Sequence, residues 1–297
     1  MPKYGDLPVA RISPEVITKF QRDEKAKGLE DATVNRKCQI ILAILNYAVK
    51  QRRIPFNPDQ GYSKLREAQK ETEFWSKDEA ISFLTLMNER YPRDHKKRWV
   101  YVAYLVALNT GMRAAEIWGL KPEDLSPIAN VITVRRQLNR ISQEMAPTKS
   151  RRGRIVPCSS EVAEELRWLI ARNKERTTPN ETEAESETTT IFCNERGQPV
   201  NHDNFFDRVW KKDLKVWGGR SIRFHDLRHT ATTLMIASGV DIKTVKEICG
   251  HADIATTMNY VHLVASAVEK VPLLFSLKPK VSPAGSPTET SNLKESG

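Results

Sequence analysis

The chain has 297 residues, enough for one large or two ordinary domains with cores of their own, and its 47 Lys and Arg against 37 Asp and Glu leave a formal charge of +10. A surplus of that size points to a polyanionic partner, nucleic acid ahead of an anionic membrane, with plain solubility as the bland alternative. The longest apolar run, Trp99 to Leu108, is far short of the roughly 20 residues that span a bilayer, and the first residues hold no apolar core of a secretion signal, so no membrane role is expected.

Cys38, Cys158, Cys193 and Cys249 are scattered without paired spacing, which suits reduced thiols in a cytoplasmic, nucleoid-associated protein better than a disulfide framework. In chain order, "DATVNRKCQIILAILNYAVKQRR" opens with cap candidates Asp31 and Thr33. It then sets Val34, Cys38, Ile41, Leu42, Leu45, Ala48 and Val49 on one helical stripe. Arg36, Lys37, Arg52 and Arg53 fall outside the stripe and are candidate phosphate contacts, a solvated face being the alternative. "IPFNPDQGYSKLREAQKE" breaks the pattern and reads as a linker, and "SKDE" (Ser76 to Glu79) is a capping box opening a new helix.

The apolar run Trp99 to Leu108 predicts a buried helix, and Thr110–Gly111 ends it. "IANVITVRRQL", "NRISQEMAPTK" and "RRGRIVPC" predict a small antiparallel sheet, and helices resume near Ser160. The acidic stretch Thr177–Thr190 reads as a mobile loop, and the Pro- and Ser-rich end after Leu277 as disordered. The expected fold is mainly α (α+β): a small helical domain with its linker over residues 1–70, a mostly helical domain with a small antiparallel sheet over 71–277, and a disordered tail over 278–297.

"HDLRHTATTL" places His225 and His229 at the spacing of a helical metal pair. The metalloprotease motif, however, needs Glu where Asp226 stands, no third ligand is placed by spacing, and Arg228 between the histidines would repel a dication, so no metal is expected. A phosphate site fits better. In "TGMRAAEIWGL" Arg113 opens a helix whose N–H groups favour anions, and Glu116 is placed to hold its guanidinium; a surface ion pair is the alternative. "APTKSRRGRIVP" sets Lys149, Arg151 and Arg152 in a basic turn between strands, and "EICGHADIATTMNYVH" adds His251 in a turn and Tyr260 on the next helix.

Taken in order, "TGMRAAEI", "PTKSRRGRIVP", "HDLRHTATTLM" and "GHADIATTMNYVH" resemble four motifs of the tyrosine recombinase (phage integrase) family, over about residues 1 to 275. The resemblance implies a core-binding domain at residues 1–70, shorter than is usual in the family, followed by a catalytic domain. It implies a site-specific DNA recombinase or integrase of a phage or mobile element, working without a cofactor through a 3′-phosphotyrosyl bond to Tyr260. Arg113 and Arg228 would hold the phosphate, His225 would act as general base and Lys149 as general acid. His251 would add a hydrogen bond, with Glu116 and His229 in support. Double-stranded recombination sites, a homotetramer and an accessory DNA-bending protein would be its partners, with the C-terminal segment docking in trans or, as the alternative, packing against its own domain. A type IB topoisomerase-like nicking enzyme and a non-catalytic DNA-binding module are the alternative expectations.

Overall fold

In a computed structural model of the chain, the described residues are 4–58, 62–67, 72–148, 153–176, 190–194 and 197–265, with side chains through residue 261. The acidic loop over 177–189 and the end of the chain after 265, like the basic turn that holds Lys149, Arg151 and Arg152, lie outside the described residues. The chain divides into two compact units, Met1–Glu71 and Thr72–Gly297.

In the first unit, α1 (Pro14–Ala26) packs against α2 (Asp31–Lys50). Ile17, Val34, Cys38, Leu45 and Ala48 are buried between them, with Ile41, Leu42 and Val49 packed at the margin, so the expected stripe faces the core. The expected caps do not form. Glu30 holds the N-cap position with no side-chain hydrogen bond, and Asp31 is already the first helical residue. Buried Asn35 donates to the Leu65 carbonyl and accepts from the Leu65 N–H, both at 2.9 Å, and so ties the following segment back onto α2.

The second unit opens as the sequence predicts. Ser76 caps α3 (Lys77–Arg90), its hydroxyl accepting from Glu79 N–H while Glu79 accepts from Ser76 N–H. Next comes α4 (Arg98–Thr110), buried along all of its length from Val100 and surrounded by other elements. Phe83, Phe205, Trp210 and Phe224 pack beside Tyr104, with Trp75 and Trp118 against those rings, as an aromatic cluster within the core. The fully buried Asp213 carboxylate is satisfied there by Arg90, Tyr91 and Tyr104.

A short helix, α5 (Ala114–Trp118), leads into four strands: β1 (Val131–Val134), β2 (Arg136–Leu138), β3 (Met145–Pro147) and β4 (Arg154–Pro157). They pair as two antiparallel couples, β1 with β4 and β2 with β3, so one hairpin sits inside another. "NRISQE" is a turn rather than strand: Asn139 Oδ1 accepts from Ile141 N–H at 2.8 Å and Gln143 takes a φ of 56°. Beyond α6 (Ser160–Arg176), α7 (His202–Phe205) passes through a π turn into α8 (Lys211–Trp217). The chain then forms α9 (Asp226–Ala237), α10 (Ile242–Cys249) and α11 (Ile254–Ala265). α9 packs on α4 and α11, and α10 packs on β4 and α11. Among the described residues no helix is long and apolar enough to cross a membrane.

Candidate active site

The site is built around the last turn of α10. Helix ends leave carbonyls without intrahelical partners, and the helix dipole makes them negative. The consecutive carbonyls of Ile248, Cys249 and Gly250 each accept from a different arginine: Arg154 Nε at 2.8 Å, Arg228 Nη2 at 2.6 Å and Arg113 Nη2 at 2.9 Å. Gly250 makes the turn possible, with a left-handed φ of 65°.

Each guanidinium has a second anchor. Arg113 precedes α5, and Glu116 one turn on accepts both its N–H (2.8 Å) and its Nη1 (3.0 Å). The same carboxylate takes a two-pronged contact from Arg154, at 2.8 and 2.7 Å. Burial opposes ionisation of Glu116, yet the Arg154 contact, joined by Arg113, outweighs it and holds the pKa at about 2. Arg228 is only 4% exposed and donates also to the Gly111 carbonyl at the end of α4 (2.7 Å), so its charge bridges two helix C-termini. Burial first, and then Arg113, press its pKa downward. Two of the three cations pair with the one carboxylate and the third with carbonyls alone, which leaves net positive charge beside partly exposed Arg113 for an anion to meet.

Tyr260 on α11 is 5% exposed. Its hydroxyl meets Nδ1 of His229, and its ring lies parallel to His251 with centroids 6.0 Å apart. Desolvation pushes its pKa up to about 12 despite the opposing pull of Arg228. His251 Nδ1 pairs with the Thr257 hydroxyl at 2.8 Å, and burial, then Arg228 and Arg113, lower its pKa to about 4. His225 stands just before α9 with a solvent-facing edge, its ring perpendicular to that of His229 at 5.2 Å. Desolvation, followed by His229 and Arg228, takes it too to about 4.

Arg113, Glu116, His225, Arg228, His229, His251 and Tyr260 are thus brought into one neighbourhood. Two details differ from expectation. His225 precedes the helix yet meets His229 ring to ring, whereas Arg228 between them turns away toward two carbonyls. The residue touching the Tyr260 oxygen is His229 rather than His225. The sequence motifs do not single out Arg154, which the fold brings into the site from β4. Its signal was the alternation of "RIVP": Arg154 shares a strand face with fully buried Val156, and a cation on a core-facing position needs a partner. Among the described residues no group of three or more His, Cys, Asp or Glu is placed to hold a metal ion.

Residues 73–266 match the model of the phage integrase family. The chain belongs to the phage integrase family of tyrosine recombinases. It is a DNA-cleaving and rejoining enzyme, and relatives agree over most of its length. It is 27% identical to tyrosine recombinase XerC of Thermodesulfovibrio yellowstonii, over 88% of this chain and 81% of that protein. It is also 27% identical to the ICEBs1 integrase of Bacillus subtilis, over 86% of this chain and 68% of that one. The fold is shared with the Tn1549 transposon integrase bound to circular intermediate DNA, at a TM-score of 0.71 and 22% identity over 87% of this chain and 83% of that one. A lambda integrase dimer bound to a core site gives 0.61 at 16% identity, over 86% and 81%.

In the recombinase's first unit, Arg36, Lys37, Arg52 and Arg53 are all exposed. Lys37 is spent in part on Glu24, at 2.5 Å. No described contact ties down the other three, which remain available to a phosphate backbone.

Proposed function

We propose that the recombinase integrates and excises a mobile or phage element by site-specific strand exchange, with Tyr260 as nucleophile. The observation that carries this reading is the buried Tyr260 hydroxyl held by His229 within the electrostatic reach of Arg228, whose guanidinium is fixed by two backbone carbonyls. Phosphoryl transfer between oxygens asks mainly for positioning and for stabilisation of charge on the non-bridging oxygens. Arg113 and Arg228 each retain N–H groups beyond those bonded to protein, and a fixed fork costs no reorganisation when that charge develops. His225 and His251, neutral at pH 7, would each offer the phosphate a hydrogen bond.

The Tyr260 oxygen attacks phosphorus, the P–O5′ bond breaks, and a 3′-phosphotyrosyl bond and a 5′-hydroxyl result. Lys149 is the proposed donor of the proton to O5′. Because the phosphotyrosyl linkage keeps the bond energy, a 5′-hydroxyl from a second strand reverses the step and completes the exchange. Four protomers on paired sites, a C-terminal segment docking in trans and an accessory DNA-bending protein belong to the same proposal, as does a backbone-binding role for Arg36, Lys37, Arg52, Arg53, Arg151 and Arg152.

A nicked duplex carrying the site that this chain selects from a random-sequence pool provides the test. In EDTA, wild type should leave an SDS-resistant protein–DNA adduct that Tyr260→Phe abolishes. Failure of wild type to form adduct, or its persistence in the variant, would remove the assignment. Strand exchange between two sites, rather than relaxation by monomers, separates a recombinase from a topoisomerase-like activity.

A further inference from the structure

Tyr260 must lose a proton to become a nucleophile, and in the resting site its hydroxyl touches one titratable side chain, His229. The rings are tilted by 33° with centroids 5.5 Å apart, so the contact runs from the hydroxyl to the edge of the imidazole. Behind His229 lies Asp226, 1% exposed, with Oδ1 at 3.8 Å from His229 Nε2. That carboxylate is itself fixed: Arg223 donates to it from its N–H at 2.8 Å, from Nε at 3.1 Å and from Nη2 at 2.8 Å. A fixed anion facing Nε2 favours the tautomer that carries the proton there, which leaves Nδ1 as an acceptor aimed at the tyrosine. Carboxylate, imidazole and hydroxyl thus stand in a row, the carboxylate acting on the imidazole by its charge.

We propose that His229, backed by the charge of Asp226, is the catalytic base that accepts the Tyr260 proton. This rests on the reading of Tyr260 as nucleophile. As the phenol O–H breaks, its proton passes to His229 Nδ1 and the phenolate oxygen forms the bond to phosphorus. The P–O5′ bond breaks, O5′ takes a proton from the acid, and Asp226 stays ionised beside the new imidazolium. Arg223 and His225 just before α9, Arg228 within it and His251 from the turn before α11 are the other charged or titratable groups that act on this pair. Burial first lowers the His229 pKa, Asp226 opposes that shift, and Arg223 and Arg228 add to it, so Asp226 is the anion that supports an imidazolium here. His225, the base that the sequence suggests, is left to face the phosphate.

Single-turnover adduct formation on the selected nicked duplex tests the role. His229→Gln should slow the reaction by about 100-fold or more at pH 7 with DNA affinity unchanged, and its rate should climb with hydroxide as wild type levels off. Replacing O5′ by sulfur gives a leaving group that needs no proton, so this substrate should rescue Lys149→Ala and leave His229→Gln slow. A rate for His229→Gln within about 3-fold of wild type, against a range of about 10²–10⁴ for a lost base, would overturn the proposal. Rescue by the sulfur substrate, or a loss that appears in His225→Gln instead, would do the same. Nitrogen NMR of the unmutated protein gives a reading free of folding effects: Nε2–H and an accepting Nδ1 are expected at His229, and the opposite tautomer contradicts the role. An adduct that does not depend on Tyr260 removes the recombinase assignment itself. A normal Tyr260-dependent adduct in His229→Gln removes only the base.

Discussion

Three guanidiniums within one helical turn would repel one another and suffer from burial unless each had acceptors fixed in place. Arg154 is the guanidinium most tied to protein, with three described hydrogen bonds against two each for those of Arg113 and Arg228. It holds Glu116 so that Glu116 can hold Arg113. Replacing Arg154 with Gln should leave a buried carboxylate short of a partner and cost about 3 kcal/mol, measurable by urea denaturation. Adduct formation should slow as well, because Arg113 loses the fixed neighbour that sets its plane. Arg154→Lys should recover part of the stability but not the two-pronged geometry. In the sequence Glu116 was legible as the partner of Arg113, three residues away on one helix. Its second partner, 38 residues on, was not, because an ion pair between a helix start and a strand leaves no local spacing to read.

Elements explain which parts of the fold could be anticipated. The buried α4, the Gly111 turn that ends it and the capping box at Ser76 are each written into a few adjacent residues, and each forms where expected. The nesting of β2–β3 inside β1–β4 depends on pairing across residues distant in sequence, and the place where "NRISQE" turns depends on Asn139 bonding its own backbone. The end of α10 joins both kinds of information. A methyl group at Gly250 would meet Arg154 Cζ at 3.0 Å and would also have to adopt a positive φ. Gly250→Ala should therefore destabilise the protein by about 1–2 kcal/mol from backbone conformation alone. The displaced Arg154 should add to that, and adduct formation should fall although no catalytic side chain has been changed. The fall in rate distinguishes this turn from a merely tolerant one: Gly28, also left-handed but with open space around its missing Cβ, should show only the backbone cost on substitution by Ala.

Over the whole molecule, net charge indicated a polyanionic partner, but charge alone says nothing about how the site stays poised without it. The histidines do. His225 and His251 have pKa values near 4 in the folded protein, against about 6.5 when the chain is unfolded. Between those values the unfolded chain binds more protons, so stability rises with pH, is fully present above about 6.5 and is lost as pH falls toward 4. Glu116, at about 2 when folded, loses its stabilisation only below the ordinary carboxylate range, so from pH 7 to pH 5 the histidines dominate. For buried His251 that interval is worth about 2 kcal/mol, with less from solvent-edged His225. The free protein should accordingly melt about 4–8 °C lower at pH 5 than at pH 7. His251→Gln should flatten this slope. DNA should flatten it as well, because a phosphate beside the imidazoles favours their charged forms and the bound protein takes up protons that the free protein refuses. Thermal melts at the two pH values, with and without the selected duplex, check both halves. A free protein that melts higher at pH 5 than at pH 7 would show that the histidines are not held neutral by the site.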